Sequence, residues 1–251
     1  MMHRSTRAAR LAPFTAAVLA LLLSASACEA QPGARGGAIN RSATGRAVPP
    51  PDSVLARASR AREKGSPNAP VMVVEVSDFQ CPYCRQWFET SYRQFDSAYV
   101  RTGKVRMVFI NLPLPMHNQA FAAAKAASCA GAQGKFWEMH DRLFSTQREW
   151  NGQADAAQRF ARFALELGVD PAAYRDCIDN ERTSSIILND VMQASGAGIN
   201  GTPAFVVNNQ RILNGAIPFA DLSREIEAAL AAPRAPAPGA APAPPPPPPA
   251  P

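Results

Sequence analysis

Two cysteines separated by two residues, Cys81 and Cys84, form the part of this sequence best suited to chemistry. They enclose Pro82 and Tyr83, and they stand between an apolar run that ends at Val76 and a helix-like segment. A cysteine at a helix N-terminus faces unpaired amides and the positive end of the helix dipole, which stabilise a thiolate. Its pKa can fall from about 8.5 to about 3.5 to 7.5. The spacing therefore predicts a redox dithiol, with Cys81 as the exposed nucleophile and Cys84 as the resolving thiol. A local structural disulfide is the alternative.

The residues before the two cysteines are those of a buried strand. The run from Val71 to Val76 is apolar except for Glu75, and it lacks the alternation of a strand with one solvated face. A carboxylate in such a strand costs several kcal/mol unless it is paired, protonated or functional. Glu75 is therefore a candidate for proton exchange at the dithiol, and a solvated, edge-facing Glu75 is the alternative.

The elements after the cysteines follow in the order helix, strand, helical segment, hairpin and helix. Residues 85–101 carry an aromatic stripe at helical spacing, and residues 105–110 form a second apolar strand stopped by prolines. From about 117 to 196 the apolar period is that of helices. Two short apolar runs within 204–213 predict a hairpin, and residues 218–230 predict a closing helix. The order indicates an α/β domain with an inserted helical segment.

Both ends of the 251-residue chain differ in composition from its middle. Residues 1–27 combine arginines, a short apolar stretch and small residues, a pattern that predicts a signal peptide. Residues 28–66 are rich in Gly, Ala, Pro, Ser and Arg, and residues 233–251 are almost wholly Pro and Ala. We expect a flexible linker and a disordered tail there, because neither segment can bury enough apolar surface to fold. One globular unit remains, at 67–232.

The formal net charge of +6 is unevenly distributed along the chain. Residues 1–70 hold ten Lys and Arg against three Asp and Glu, whereas residues 71–251 hold sixteen against seventeen. The folded part is therefore near neutral, which disfavours a nucleic-acid partner. The basic arm suits either a solvated linker or a contact with anionic lipid.

The chain has five cysteines, and their pairing can be predicted if the chain is exported. An exported chain tends to pair its cysteines, because the space beyond the inner membrane is oxidising. Cys81 with Cys84 and Cys129 with Cys177 make two pairs, and the second would be a structural disulfide worth about 4 kcal/mol. Cys28 is left over at a position where a lipoprotein signal places its acylated cysteine, although ordinary signal cleavage fits the same residues. Metal is not expected, because no second paired spacing of ligands occurs.

Four segments in fold order carry a resemblance to a known family. They are Ser77–Cys84 (SDFQCPYC), His117 with the alanine-rich helix up to Cys129 and Ala130, Gln133–His140 (QGKFWEMH) and Gly201–Asn208 (GTPAFVVN). Over residues 67–232 the chain resembles the DsbA-like thiol:disulfide oxidoreductases. The resemblance implies a thioredoxin fold, which is a central mixed β-sheet flanked by helices, with an inserted helical domain at about 117–196.

The resemblance also implies roles for the site residues. A substrate thiolate would attack the sulfur of Cys81, form a mixed disulfide with it and expel Cys84. Pro82 and Tyr83 would tune the stability of the Cys81 thiolate, and Glu75 would exchange a proton with Cys84 through water.

A second part of the site would come from the loop before the hairpin. The backbone of Thr202 would pair with an extended substrate segment as an added strand. Pro203 would follow a cis peptide bond and face the two cysteines, and an ordinary loop-ending proline is the alternative.

The resemblance points to a dithiol oxidase that forms disulfides in reduced or misoxidised exported polypeptides, without a bound organic cofactor. A membrane-bound partner would reoxidise it in the periplasm or an equivalent extracytoplasmic space, and acylated Cys28 would anchor it to the membrane. We expect a monomer, because residues 29–65 are too short and too rich in breakers for the dimerisation domain of related isomerases. An isomerase or reductase of the same fold is one alternative. A redox-inert peptide-binding or chaperone-like module is another.

Overall fold

The computed structural model describes residues 53–232, which form a sheet of five strands surrounded by helices. The predicted signal peptide, Cys28 and the Pro/Ala-rich tail lie outside the described residues. The strands are β1 Glu63–Lys64, β2 Val71–Ser77, β3 Val105–Asn111, β4 Ala204–Val207 and β5 Arg211–Asn214. The helices are α1 Val54–Ala61, α2 Pro82–Trp87, α3 Arg93–Phe95, α4 Ala120–Gly131, α5 Phe136–Ser145, α6 Gln147–Trp150, α7 Ala156–Glu166, α8 Pro171–Asp179, α9 Ser184–Gly196 and α10 Phe219–Ala231.

The sheet is mixed, with the strand order β1-β3-β2-β4-β5. The pair β2 and β3 is parallel, whereas β1 with β3, β2 with β4 and β4 with β5 are antiparallel. A parallel pair needs a long crossover, and the helix between β2 and β3 supplies it. The expectation of a central mixed sheet flanked by helices is therefore confirmed.

The crossover helix starts directly after Cys81. It runs from α2 through α3 to Val100, with π-helical turns at Phe88–Tyr92 and Asp96–Val100. Its buried aromatic side chains, among them Trp87 and Phe95, pack on β2, β4 and α10. The aromatic stripe of the sequence is thus part of the core, which fixes the helix that carries the two cysteines.

The folded part begins earlier than the sequence indicated. Helix α1 is capped by the Ser53 hydroxyl, which accepts a hydrogen bond from the Ala56 amide at 3.1 Å, and Ala58 is fully buried. Strand β1 pairs with β3. Between them Arg62 is buried and forms an ion pair with Asp190 of α9. The prediction of a flexible linker over 28–66 is therefore wrong for residues 54–64, because their few apolar positions and one buried arginine find partners far away in sequence.

The helical insertion comprises α4 to α9 and packs as one apolar cluster. Cys129 of α4 and Cys177 of α8 are joined by the disulfide expected from the sequence, with a Cα–Cα distance of 5.8 Å and a separation of 48 residues. Within residues 53–232, no helix combines the length and the apolar character that a membrane crossing requires.

Candidate active site

The sheet register brings two distant segments of the sequence together. Strands β2 and β4 are antiparallel, and Val76 lies opposite Ala204. The residues that follow β2 therefore lie beside the residues that precede β4, which are Thr202 and Pro203. The Thr202–Pro203 peptide bond is cis. The Thr202 carbonyl oxygen lies 3.5 Å from Cys81 Sγ, so this loop directly contacts the first cysteine.

Cys81 is the residue that precedes the first turn of α2, and both Cys81 and Cys84 carry free thiols. The pKa of Cys81 is lowered from 9.0 to about 6, first by the Cys84 thiol. The Thr202 side chain and the backbone amides of Cys84 and Tyr83 lower it further, while burial opposes them. At neutral pH Cys81 is therefore mostly a thiolate.

Cys84 lies on the inner side of α2 and is fully buried. Its sulfur accepts a hydrogen bond from the Asp78 amide at 3.5 Å. Burial raises the pKa of Cys84 well above 9.0, and the neighbouring Cys81 raises it further. The two thiols therefore differ in protonation at neutral pH, and Cys84 keeps its proton.

The expected exposure of the nucleophile is wrong. Only 3% of the surface of Cys81 is exposed, because the loop at Thr202 covers its sulfur. The side chain of Tyr83, one helical position before Cys84, is 62% exposed instead.

Glu75 lies in the middle of β2, between Phe109 of β3 and Phe205 of β4. It is 1% exposed, and its Oε2 atom has no hydrogen-bond partner among residues 53–232. Burial raises its pKa from 4.5 to about 8, while an interaction with the Ser77 hydroxyl lowers it. Glu75 is thus a neutral carboxylic acid at pH 7, and the solvated, edge-facing alternative is wrong.

A buried aspartate organises the loop between β2 and α2. Asp78 Oδ2 lies 2.7 Å from His117 Nδ1 and accepts a hydrogen bond from the Leu114 amide at 2.9 Å. Its Oδ1 atom accepts one from the Gln80 amide at 2.7 Å. Because the Asp78 amide also contacts the sulfur of Cys84, this carboxylate fixes the position of the resolving thiol.

The helical insertion holds the same loop from the other side. Gln147 donates hydrogen bonds to the carbonyl oxygens of Phe79, at 2.7 Å, and Cys81, at 3.0 Å. The side chain of Gln80 accepts a hydrogen bond from the Gln119 amide at 2.7 Å. Sequence reasoning assigned no role to Asp78, Gln80 or Gln147. The position of the first two within the segment before Cys81 was a signal, whereas nothing in the sequence around Gln147 marked it.

The other sequence-derived candidates lie elsewhere. The disulfide between Cys129 and Cys177 belongs to the core of the helical insertion and is separate from the thiol pair. In the part of the chain that the structure describes, no group of three or more His, Cys, Asp and Glu side chains is arranged to hold a metal ion.

Comparisons with known proteins agree with this arrangement. A family model described as "Thioredoxin" matches residues 59–228. The chain is 38% identical over 172 residues to the Na(+)/H(+) antiporter NhaA 3 of Salinispora tropica, a match that covers 68% of this chain and 25% of that protein. It is 27% identical over 147 residues to the probable disulfide bond formation protein D of Bacillus anthracis, covering 57% of this chain and 68% of that protein.

A solved structure gives the same result for the fold. The alpha-DsbA1 protein of Wolbachia pipientis superposes with a TM-score of 0.60 at 21% identity, and the match covers 66% of this chain and 89% of that one. The chain spans about a quarter of the length of the antiporter sequences that it matches. The family match covers most of the chain and the whole candidate site. The chain therefore belongs to the thioredoxin family, and its fold is that of the DsbA structures.

Proposed function

We propose that this protein is a dithiol oxidase that forms disulfides in exported polypeptides through Cys81 and Cys84. The observation that carries the proposal is the opposite displacement of the two thiol pKa values, with Cys81 lowered to about 6 and Cys84 raised. A stabilised thiolate favours the reduced pair, so the corresponding disulfide readily accepts electrons. The name of the Bacillus anthracis relative, a probable disulfide bond formation protein, supports the same direction.

The reaction begins with the disulfide between Cys81 and Cys84. A substrate thiolate attacks the sulfur of Cys81, the bond to Cys84 breaks, and a mixed disulfide forms between the substrate and Cys81. A second thiolate of the substrate then attacks the mixed disulfide and expels Cys81 as a thiolate. The substrate has lost two electrons and gained a disulfide, and the protein is left as a dithiol.

The surroundings of Cys81 suit an extended polypeptide as substrate. Thr202 lies beside Cys81, two residues before β4 begins, so an extended segment bound to Cys81 would run along its backbone. Two exposed large apolar residues lie in segments next to the site: Tyr83 in the first turn of α2, and Met116 directly before the His117 that is paired with Asp78. Exposed apolar side chains favour binding of many unfolded sequences over one folded partner.

The test of direction is the reduction potential of the thiol pair. Equilibration in glutathione buffers, followed by alkylation and mass spectrometry, should give a value nearer to about −120 mV than to about −270 mV. Cys81→Ala, which cannot form the disulfide, is the control for the structural disulfide of the insertion. A potential below about −230 mV would make the protein a reductase, and an intermediate value with efficient reshuffling of scrambled substrates would make it an isomerase. A thiol pair that does not exchange with glutathione would leave a redox-inert peptide-binding module.

We also propose that the protein acts outside the cytoplasm and that a membrane-bound partner reoxidises it. The arginines, apolar stretch and small residues of 1–27 support export, and Cys28 supports a lipid anchor. Sodium–proton exchange is not part of the proposal, because the match covers a quarter of the antiporter.

The anchor predicts a specific N-terminus for the mature protein. Mass spectrometry of protein expressed in its full length should find acylated Cys28 as the first residue, and Cys28→Ala should release the protein from membranes. An unmodified N-terminus in membrane-free protein would show that the signal is simply cleaved.

A further inference from the structure

The hydroxyl group of Ser77 occupies an unusual position for a polar atom. Ser77 is the last residue of β2 and is 1% exposed. Its backbone is fixed, because its carbonyl oxygen accepts a hydrogen bond from the Leu112 amide at 2.8 Å. Its Oγ atom is buried and has no aligned hydrogen-bond partner in the described part of the chain. A buried hydroxyl without a partner costs about 1 to 3 kcal/mol, so its presence calls for a reason.

The surroundings of Ser77 supply that reason. Alternate residues of a strand share a face, so Glu75 and Ser77 both point towards the helix that carries Cys84. Ser77 Oγ is close enough to act on the Glu75 carboxyl group on one side and on the Cys84 sulfur on the other. Neither contact has full hydrogen-bond geometry in this dithiol form, and Glu75 Oε2 also lacks a partner within residues 53–232. The hydroxyl thus lies between the buried acid and the buried thiol.

We propose, on the basis of the exchange reaction proposed above, that the Ser77 hydroxyl passes the proton between Glu75 and Cys84. A hydroxyl is both a donor and an acceptor, so it can give one proton and take another at the same time. Glu75 and Cys84 are both buried, so neither group is in direct contact with bulk water during this exchange. Ser77 is therefore a positioned proton relay, and the water-mediated path expected from the sequence is replaced by a side chain.

The proton balance is complete within these three residues. When a thiolate attacks Cys81, the bond between Cys81 and Cys84 breaks, and Cys84 leaves with the electron pair. Ser77 donates its proton to the Cys84 sulfur, and the Glu75 carboxylic acid donates its proton to the Ser77 oxygen. Cys84 ends as a thiol, Ser77 is unchanged, and Glu75 is left as a carboxylate that regains a proton from solvent, because its pKa in the dithiol form is raised to about 8. On reoxidation, Glu75 that has lost this proton again takes the Cys84 proton through Ser77.

Few other ionisable groups compete in this region. On the helix side, the ionisable groups near Glu75 and Cys84 are Cys81 and Tyr92, with His140 of α5 beside Tyr92. The loop after β2 adds Asp78. Strands β3 and β4 place only the apolar side chains Phe109 and Phe205 opposite Glu75. Burial raises the pKa of Tyr92 and lowers that of His140, so both stay neutral near pH 7. Asp78 is held by His117.

The test is the rate at which dithiothreitol reduces the Cys81–Cys84 disulfide. Ser77→Ala should slow this step roughly tenfold at pH 6 to 7, less than the loss of a direct general acid, because water replaces part of the relay. The ratio of wild-type to variant rates should approach one as the pH rises above about 8, where Glu75 has lost its proton. Because the thiolate of dithiothreitol is equally abundant in both reactions, the ratio isolates the relay.

Three variants make the result specific. Ser77→Thr keeps a hydroxyl and should retain most of the rate, and Glu75→Gln should show a loss at least as large as that of Ser77→Ala. Ser128→Ala removes another buried hydroxyl without a partner, on α4, which acts on neither thiol and should change nothing. Thermal unfolding of each variant controls for folding.

The outcomes separate the relay from the proposed function. If Glu75→Gln slows reduction of the disulfide but Ser77→Ala does not, the proton passes through water. That result would overturn the relay and leave the exchange reaction intact. Equal losses in Ser77→Ala and Ser77→Thr that do not depend on pH would assign Ser77 a packing role. Wild-type protein whose disulfide is not reduced at all would overturn the exchange reaction and the relay with it.

Discussion

Cys81→Ser is expected to reduce disulfide formation in a reduced polypeptide to the uncatalysed background, whereas Cys84→Ser should accumulate mixed disulfides with substrates. The difference follows from the two sites on α2. Cys81 carries the stabilised thiolate, and Cys84 is the buried thiol that breaks the mixed disulfide when no second substrate thiolate does so. Both substitutions replace sulfur by oxygen with little change in volume, so they compare the thiols directly.

The measurement is non-reducing electrophoresis of each variant after incubation with an unfolded substrate that carries scrambled disulfides, because a variant with a single thiol forms a mixed disulfide only by attacking an existing disulfide. The double variant, in which both cysteines are serine, is the control for adducts through other thiols. In reduced wild-type protein, iodoacetamide should modify Cys81 with a pH midpoint of about 6. Equal alkylation rates for Cys81 and Cys84, or mixed disulfides in Cys81→Ser, would contradict the assignment of the nucleophile.

The reduced protein is expected to gain stability relative to the oxidised protein as the pH rises from 5 to 8, by about 2.5 kcal/mol in the free energy of unfolding. The pKa of Cys81 is lower in the folded protein, about 6, than its ordinary value of 9.0. A group with a lowered folded pKa stabilises the fold above its unfolded pKa and loses that contribution as the pH falls through its folded pKa. The disulfide form has no such thiolate.

The disulfide itself stabilises the oxidised protein, and this opposing contribution sets the pH at which the oxidised and reduced proteins are equally stable. Closing the short loop between Cys81 and Cys84 restricts the unfolded chain and stabilises the oxidised form by about 2 kcal/mol in the chain-entropy model. The thiolate contributes about 1.4 kcal/mol at pH 7 and more at higher pH, so the reduced form should become the more stable one above about pH 7.5. Glu75, whose pKa is raised, affects both forms in the same direction.

Thermal unfolding of both redox forms at several pH values measures this effect. For a domain of this size, the expected change corresponds to a shift of about 5 to 10 °C in the difference between the two melting temperatures. The Cys81→Ser variant has neither the thiolate nor the disulfide, so the pH dependence of its melting temperature should follow that of the oxidised protein. A difference that is constant between pH 5 and 8 would mean that the Cys81 thiolate is not stabilised by the fold.

Local patterns in the sequence were sufficient for the order of the elements and for the core of the site. An apolar strand, a Cys-x-x-Cys and a helix with aromatic spacing are adjacent in the chain, so their arrangement depends on neighbouring residues only. The burial of Glu75 followed in the same way from the apolar residues on either side of it. The hairpin formed where expected, because Asn208 and Asn209 tolerate the positive φ values of 49° and 58° that its turn requires.

Contacts between residues far apart in the sequence determined the features of the site that local patterns could not predict. Cys81 is covered rather than exposed because the carbonyl of Thr202, 121 positions away, lies on its sulfur. Asp78 and His117 are 39 positions apart, and Gln147 reaches Cys81 across 66. Single polar side chains have no periodicity, so their partners are set only when the sheet register and the helical insertion bring them together. The chemistry of the two thiols was therefore visible in the sequence, whereas the groups that separate their pKa values and exchange their protons depend on the tertiary structure.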